Sequence, residues 1–203
     1  MTQHLLERAA QLRREADELL GARGLQTLLA HFGTPKVQGS YALQLMTWRD
    51  LDLYLVAEQL SVASFFALGG RLAELLSPHR MSFRNERIAQ TADLPNGLYW
   101  GVYLNDEPLG DWKIDLWAVE PAEYARLMEV QNELLARLTE RSRLAILAIK
   151  ADCWQDPRYR KEYGSLDIYR AVLDDGVTTI SQFSALLLRR KGVAVTPPPA
   201  SRL

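Results

Sequence analysis

The spacing of hydrophobic positions changes several times along the chain, and each change predicts a different element. Near the start, Leu5, Leu6, Ala9, Leu12, Ala16, Leu19 and Leu20 recur at three- and four-residue intervals with Arg and Glu between them. That spacing predicts an amphipathic helix over 3–31, interrupted at Gly21 and Gly24. Pro35 closes the region, residues 36–38 read as a short strand running into Gly39-Ser40, and 41–47 suit a short helix. From Asp50 the period falls to two: Leu51, Leu53 and Leu55 point one way, Asp50, Asp52 and Tyr54 the other, as in a strand with one buried face.

Helical spacing returns over 61–76, and 80–118 predicts two or three strands. Asn96-Gly97 is a hairpin-turn signal between them, and Asn105-Asp106 with Pro108 and Gly110 marks a second turn. In the last strand, 112–119, Trp112, Ile114 and Leu116 alternate with Lys113, Asp115 and Trp117, which gives Asp115 a defined direction. Beyond Pro121 the spacing is helical over 121–152, 165–175 and 178–191, with Pro157, Gly164 and Gly176 as separators. The closing TPPPASRL is too proline-rich for helix or sheet and should be extended or disordered.

The implied fold class is α+β: a small mixed, mainly antiparallel sheet with flanking helices, followed by a helical C-terminal portion. Residues 1–120 make the first part with its N-terminal helix, 121–192 the helical portion, and 193–203 a disordered tail. The 203 residues are enough for a real core, and 48% hydrophobic with 24% charged residues is an ordinary globular balance. No apolar run is long enough to cross a bilayer, so no membrane partner is expected. The charged N-terminus lacks the apolar core of a signal peptide. A single cysteine, Cys153, and three scattered histidines, His4, His31 and His79, fit neither a disulfide framework nor a zinc site. A reducing cytoplasm suits all three facts. A net charge of -1 with a pI near 6.3 speaks against a nucleic-acid partner, although Arg80, Arg84 and Arg87 cluster, as do Arg158, Arg160 and Lys161.

Candidate chemistry begins with Asp50 and Asp52. Two residues apart on one strand face, they lie about 6 to 7 Å apart at the backbone, and at an effective dielectric near 20 two such charges repel by roughly 2 to 3 kcal/mol. A wet edge strand tolerates that arrangement, and a magnesium ion offsets it directly, since it takes hard carboxylate oxygens and leaves room for phosphate oxygens. Context favours the ion: a Gly-Ser turn lies just upstream and a third strand aspartate, Asp115, downstream. Gly39 lets the backbone approach a phosphate closely, and the Ser40 hydroxyl with nearby N–H groups can bond its oxygens.

Gly39-Ser40, nine intervening residues and Asp50-Leu51-Asp52-Leu53 resemble the signature of the DNA polymerase beta-type nucleotidyltransferase superfamily. The stretch from Trp112 to Trp117, with Asp115, is similar to the strand that carries that family's third carboxylate. The resemblance covers about residues 30–120 and is nearest the minimal and antibiotic (aminoglycoside or lincosamide) nucleotidyltransferases. It implies that Asp50 and Asp52 hold a Mg²⁺ or Mn²⁺ ion that binds the triphosphate. Asp115 then joins them at a second ion or serves as base on the acceptor hydroxyl, and Gly39 and Ser40 hold phosphate. The substrates it implies are a nucleoside triphosphate and a small hydroxylated acceptor. Two other readings keep the fold: transfer to a hydroxyl of a protein or RNA, and a binding module without turnover.

Lys113 shares the face of Asp115, where it can touch a phosphate or act on that aspartate through its charge. Lys150 ends an apolar helical run, Leu144, Ile146, Leu147 and Ile149; it reads as a nucleotide-binding residue, or as a lysine with its stem on the core and its head in water. Trp100, Tyr103, Trp112, Trp117 and Trp154 suit either stacking on a ligand ring or the core.

Overall fold

The computed structural model describes residues 2–106 and 110–195. Two compact units divide the chain: Gln11–Gln44 with Arg49–Asn132, and Met1–Ala10 with Leu45–Trp48 and Glu133–Leu203. The first contains the sheet; the second is helical. Residues 121–132 thus group with the sheet, whereas the sequence placed the boundary at 120. Among the described residues no helix is long and apolar enough to cross a membrane.

The N-terminal amphipathic pattern forms α1 (Thr2–Asp17), a π-helical turn (Glu18–Ala22) and α2 (Leu25–Ala30). The break falls where the glycines predict it, and Gly24 takes φ 79° ahead of α2. β1 (Thr34–Gln38) contains Pro35 instead of following it. The proline is tolerated because β1 is an edge strand. α3 (Gly39–Ala42) starts at the glycine itself, two residues earlier than expected, and is over by Leu43.

β2 (Asp50–Val56) pairs antiparallel with β1 and parallel with β5 (Gly110–Val119); β4 (Gly97–Asp106) and β3 (Arg80–Asn85) complete the order β1-β2-β5-β4-β3. The sheet is mixed and mainly antiparallel, as predicted. Along β2 half-buried and buried residues alternate strictly, with Leu51, Leu53 and Leu55 at 0–1% exposure. A one-residue slip would expose these three leucines and bury the aspartates, and at about 1.5–3 kcal/mol per leucine that costs roughly 5–9 kcal/mol. This is why the register, and with it the direction of every carboxylate, is unambiguous.

α4 (Val62–Leu76) lines the sheet unit's core with Phe65, Leu68, Gly69, Leu72 and Leu76, and Ser61 caps its first turn by accepting from the Ser64 amide at 3.0 Å. Gly69 lets α4 lie on Trp100: a Cβ there would be 2.7 Å from the indole ring. The indole N–H donates to the Phe65 carbonyl at 3.0 Å, so a buried tryptophan keeps its one polar atom satisfied. Trp100, Trp112 and Trp117 are all core residues.

Asn96-Gly97 is not a hairpin turn. α5 (Glu86–Ala89) and a loop join β3 to β4, and the Asn96 amide donates to Glu123 at 2.9 Å. Gly97 opens β4, where a Cβ would meet the Ala118 carbonyl oxygen at 2.4 Å, so the glycine serves close strand approach. At the second predicted turn β4 and β5 pair antiparallel as far as Asn105 with Asp111 and Asp106 with Gly110; residues 107–109 between them, Pro108 included, lie outside the described residues.

The predicted helix 121–152 is two helices, α6 (Pro121–Arg137) and α7 (Glu140–Cys153). Thr139 breaks the run by capping α7: its hydroxyl accepts from the Ser142 amide at 3.2 Å while the Ser142 hydroxyl accepts from the Thr139 amide at 2.8 Å. α8 (Ser165–Asp175) and α9 (Ile180–Lys191) end on Gly176 and Gly192, with φ 66° and 71°. Ile146, Ile149, Cys153, Ile168, Ala171 and Phe183 make this unit's core. Val193 and Val195 are buried too, and Val195 exchanges hydrogen bonds with the Ser184 hydroxyl, so these residues are ordered where a disordered tail from 193 was expected. TPPPASRL, residues 196–203, lies outside the described residues.

Candidate active site

The strand pairing sets the site. In the β2/β5 register Asp52 stands opposite Asp115 and Asp50 opposite Lys113, so the side chains of all four share one sheet face. One carboxylate oxygen from each of Asp50, Asp52 and Asp115 lies within 4.8 Å of the others, and all three residues are half-buried. Three hard oxygens at this spacing can hold a divalent metal. The site already seats one positive charge: the Lys113 ammonium donates to Asp115 Oδ2 and lies 3.8 Å from Asp50 Oδ1. The clustered carboxylates thus draw positive charge, and Lys113 supplies it from within the chain.

Gly39 borders the triad. It takes φ 61°, and a Cβ there would be 1.9 Å from Asp52 Oδ2, so both conformation and space exclude a side chain. Gly39→Ala is expected to lose at least 1–2 kcal/mol of stability from the left-handed backbone alone, and to turn the Asp52 carboxylate aside. Urea unfolding of the variant measures the first effect.

Neighbours hold this turn in place. The Gly39 amide donates to Gln131 Oε1 of α6 at 3.1 Å, the Gln131 amide donates to Gln38 Oε1, and Gln38 donates to the Tyr124 hydroxyl at 2.5 Å. Ser40 follows Gly39 within α3 and is half-buried. Tyr124 also packs edge-on against Tyr54, whose ring centroid is 5.9 Å away.

On the other side of Asp115, β4 contributes Tyr99. Its hydroxyl donates to Asp115 Oδ1 at 2.5 Å, so both oxygens of this aspartate accept a bond, one from Tyr99 and one from Lys113. Tyr99 reaches across Gly101, which pairs with Asp115; a Cβ at Gly101 would be 2.5 Å from the Tyr99 hydroxyl. Burial, then the charge of Asp115 and its hydrogen bond, push the Tyr99 phenol well above its ordinary range. The phenol stays protonated and keeps donating. The Tyr54 phenol is raised as well, by burial first and the charge of Asp52 next.

Tyr103 continues this face, half-exposed, with the Arg80 guanidinium 3.8 Å above its ring. The structure thus brings Gly39, Asp50, Asp52 and Asp115 together, with Lys113 among them. Lys150 belongs to the helical unit and is 1% exposed. Its ammonium donates to the Leu45 carbonyl at 2.7 Å and to the Tyr169 hydroxyl at 3.3 Å, so its head is not in water. Trp154, in the same unit, stacks on Trp48 with centroids 6.1 Å apart.

Tyr99, Gln38 and Gln131 are site neighbours that the sequence reading passed over. The even spacing of Tyr99 and Gly101 along β4 was a usable signal for the first. Nothing local marks Gln131, whose partner is 92 residues away.

No protein-family profile matches the sequence, and no curated protein matches it. Among solved structures, that of the GLD-2/RNP-8 complex is similar: the match covers 97% of this chain and 68% of that one, with a TM-score of 0.55 and 12% identity. The likeness is one of fold, nucleotidyltransferase-like, which in the described residues of this chain is an α+β arrangement with a five-stranded mixed sheet flanked by helices.

Proposed function

We propose that this protein is a metal-dependent nucleotidyltransferase that moves a nucleoside monophosphate from a nucleoside triphosphate to a hydroxyl of a small acceptor and releases pyrophosphate. The observation that carries the reading is the convergence of Asp50, Asp52 and Asp115 beside Gly39. Paired carboxylates on β2 are suited to hold Mg²⁺ or Mn²⁺, with Asp115 either joining them or accepting the acceptor's proton. When bound, the ion neutralises charge on the phosphate oxygens. Gly39 lets the turn lie directly against the Asp52 carboxylate, and Ser40 beside it offers a phosphate its hydroxyl. Asp115, held by the Tyr99 hydroxyl, is kept in one orientation as the acceptor oxygen bonds to the alpha-phosphorus and the bond to the leaving pyrophosphate breaks. Positioning of this kind is most of what phosphoryl chemistry asks of a protein.

Incubation with alpha-labelled nucleoside triphosphates and Mg²⁺ tests the reading. Label on a small molecule supports it, and label on protein or RNA moves the acceptor. Label nowhere, across acceptor classes and all four bases, leaves only a nucleotide-binding module. In the active case Tyr99→Phe should lower kcat by about tenfold, the loss of part of one charge-assisted hydrogen bond. The nucleotide KM should hardly move, because the phenol touches Asp115 on the side away from the β2 pair. Steady-state kinetics in which KM rises and kcat holds would contradict this.

A further inference from the structure

Lys113 is the charged residue of the site to which the transfer chemistry assigns no task. It pairs with Asp50 in the β2/β5 register and precedes Asp115 by two residues, so its side chain leaves the strand between the two carboxylates. Its ammonium donates to Asp115 Oδ2 and stands 3.8 Å from Asp50 Oδ1, half-buried. Three carboxylates with oxygens within 4.8 Å repel one another. Lys113 offsets part of that repulsion without any ion, which keeps the metal-free sheet stable.

The same contacts oppose a metal. A divalent ion reaching Asp50 and Asp115 meets a like charge already on those oxygens, and both cannot keep them. A displaced ammonium needs another anion nearby, and a triphosphate held between the Gly39 turn and the β2 pair brings one.

Resting on the proposed function, we infer that Lys113 is a cation place-holder. It occupies the carboxylates until metal and nucleoside triphosphate arrive together, then passes from Asp115 to a phosphate oxygen. Metal binding is thereby tied to nucleotide binding, so that the ion alone binds weakly.

The test uses Mn²⁺ alone, followed by electron paramagnetic resonance, on the parent, Lys113→Met and Lys113→Arg. Methionine should tighten Mn²⁺ by about tenfold or more, since a competing charge in contact with the ligands is gone; arginine should leave it near the parent value. Binding of α,β-methylene ATP at saturating Mn²⁺ should weaken about tenfold in Lys113→Met, for want of the phosphate contact. Effects of opposite sign on the two ligands mark the place-holder, because a merely loosened strand weakens both. The melting temperature of Lys113→Met should also be lower than the parent's without metal and recover with Mn²⁺. Unchanged or weaker Mn²⁺ binding by Lys113→Met overturns the inference while leaving the metal site intact. Failure of all three proteins to bind Mn²⁺, with or without the nucleotide analogue, overturns the metal site and the inference with it.

Discussion

Asp115→Asn is expected to slow nucleotidyl transfer by about two to four orders of magnitude, the usual range for loss of a catalytic base, while leaving nucleotide binding nearly unchanged. The asymmetry follows from placement. Asp50 and Asp52 share β2, where Asp52 borders Gly39, whereas Asp115 sits across on β5 with Tyr99 and Gly101 of β4 on its far side. A substituted amide still accepts the Tyr99 hydrogen bond through one oxygen, so the fold around it should survive. What it loses is negative charge at the acceptor oxygen, and that loss falls on the transition state. The check is a paired measurement on the variant: nucleotide affinity by titration, and pyrophosphate release with the acceptor found by labelling. Transfer at the parental rate would make Asp115 a bystander and leave the β2 pair to act alone.

Asp52→Asn is expected to remove most of the stabilisation that metal and nucleotide confer. A ligand at about 100 times its dissociation constant adds about 2.7 kcal/mol to a protein that binds it only when folded. For a chain of this length that corresponds to a melting-temperature rise of about 5–10 °C. Asp52 links the triad to the turn: it faces Asp115 across β2/β5, and its Oδ2 lies where a Cβ on Gly39 would go. Asparagine keeps the shape and removes the charge. A thermal melt in which the variant responds to Mg²⁺ and nucleoside triphosphate as the parent does would show that the metal is held elsewhere.

Much of this site was legible in the sequence because its information is local. Alternation along residues 50–56 and 112–119 determined which face each aspartate takes, since a strand's side-chain period is two and the leucines must be buried. Gly39-Ser40 just ahead of that strand reads as a turn whose glycine lets the backbone approach a phosphate, and the structure shows what that glycine meets: Asp52 occupies the space of a Cβ. The amphipathic spacing of the first thirty residues, with its break near Gly21 and Gly24, was likewise written in neighbouring residues.

Errors arose where one residue type serves two purposes. Gly97 reads as a turn glycine but sits at a close strand contact, and Thr139 sits unnoticed in a helical run until its hydroxyl caps a new helix. Composition and spacing determined that three aspartates lie on strand faces of an α+β chain. Only the tertiary structure decided that β2 and β5 are neighbours and parallel, which places Asp52 opposite Asp115, Lys113 against both Asp50 and Asp115, and the Tyr99 phenol on Asp115. Strand order is a long-range property: it depends on how apolar faces far apart in the chain bury one another, and no local period encodes it.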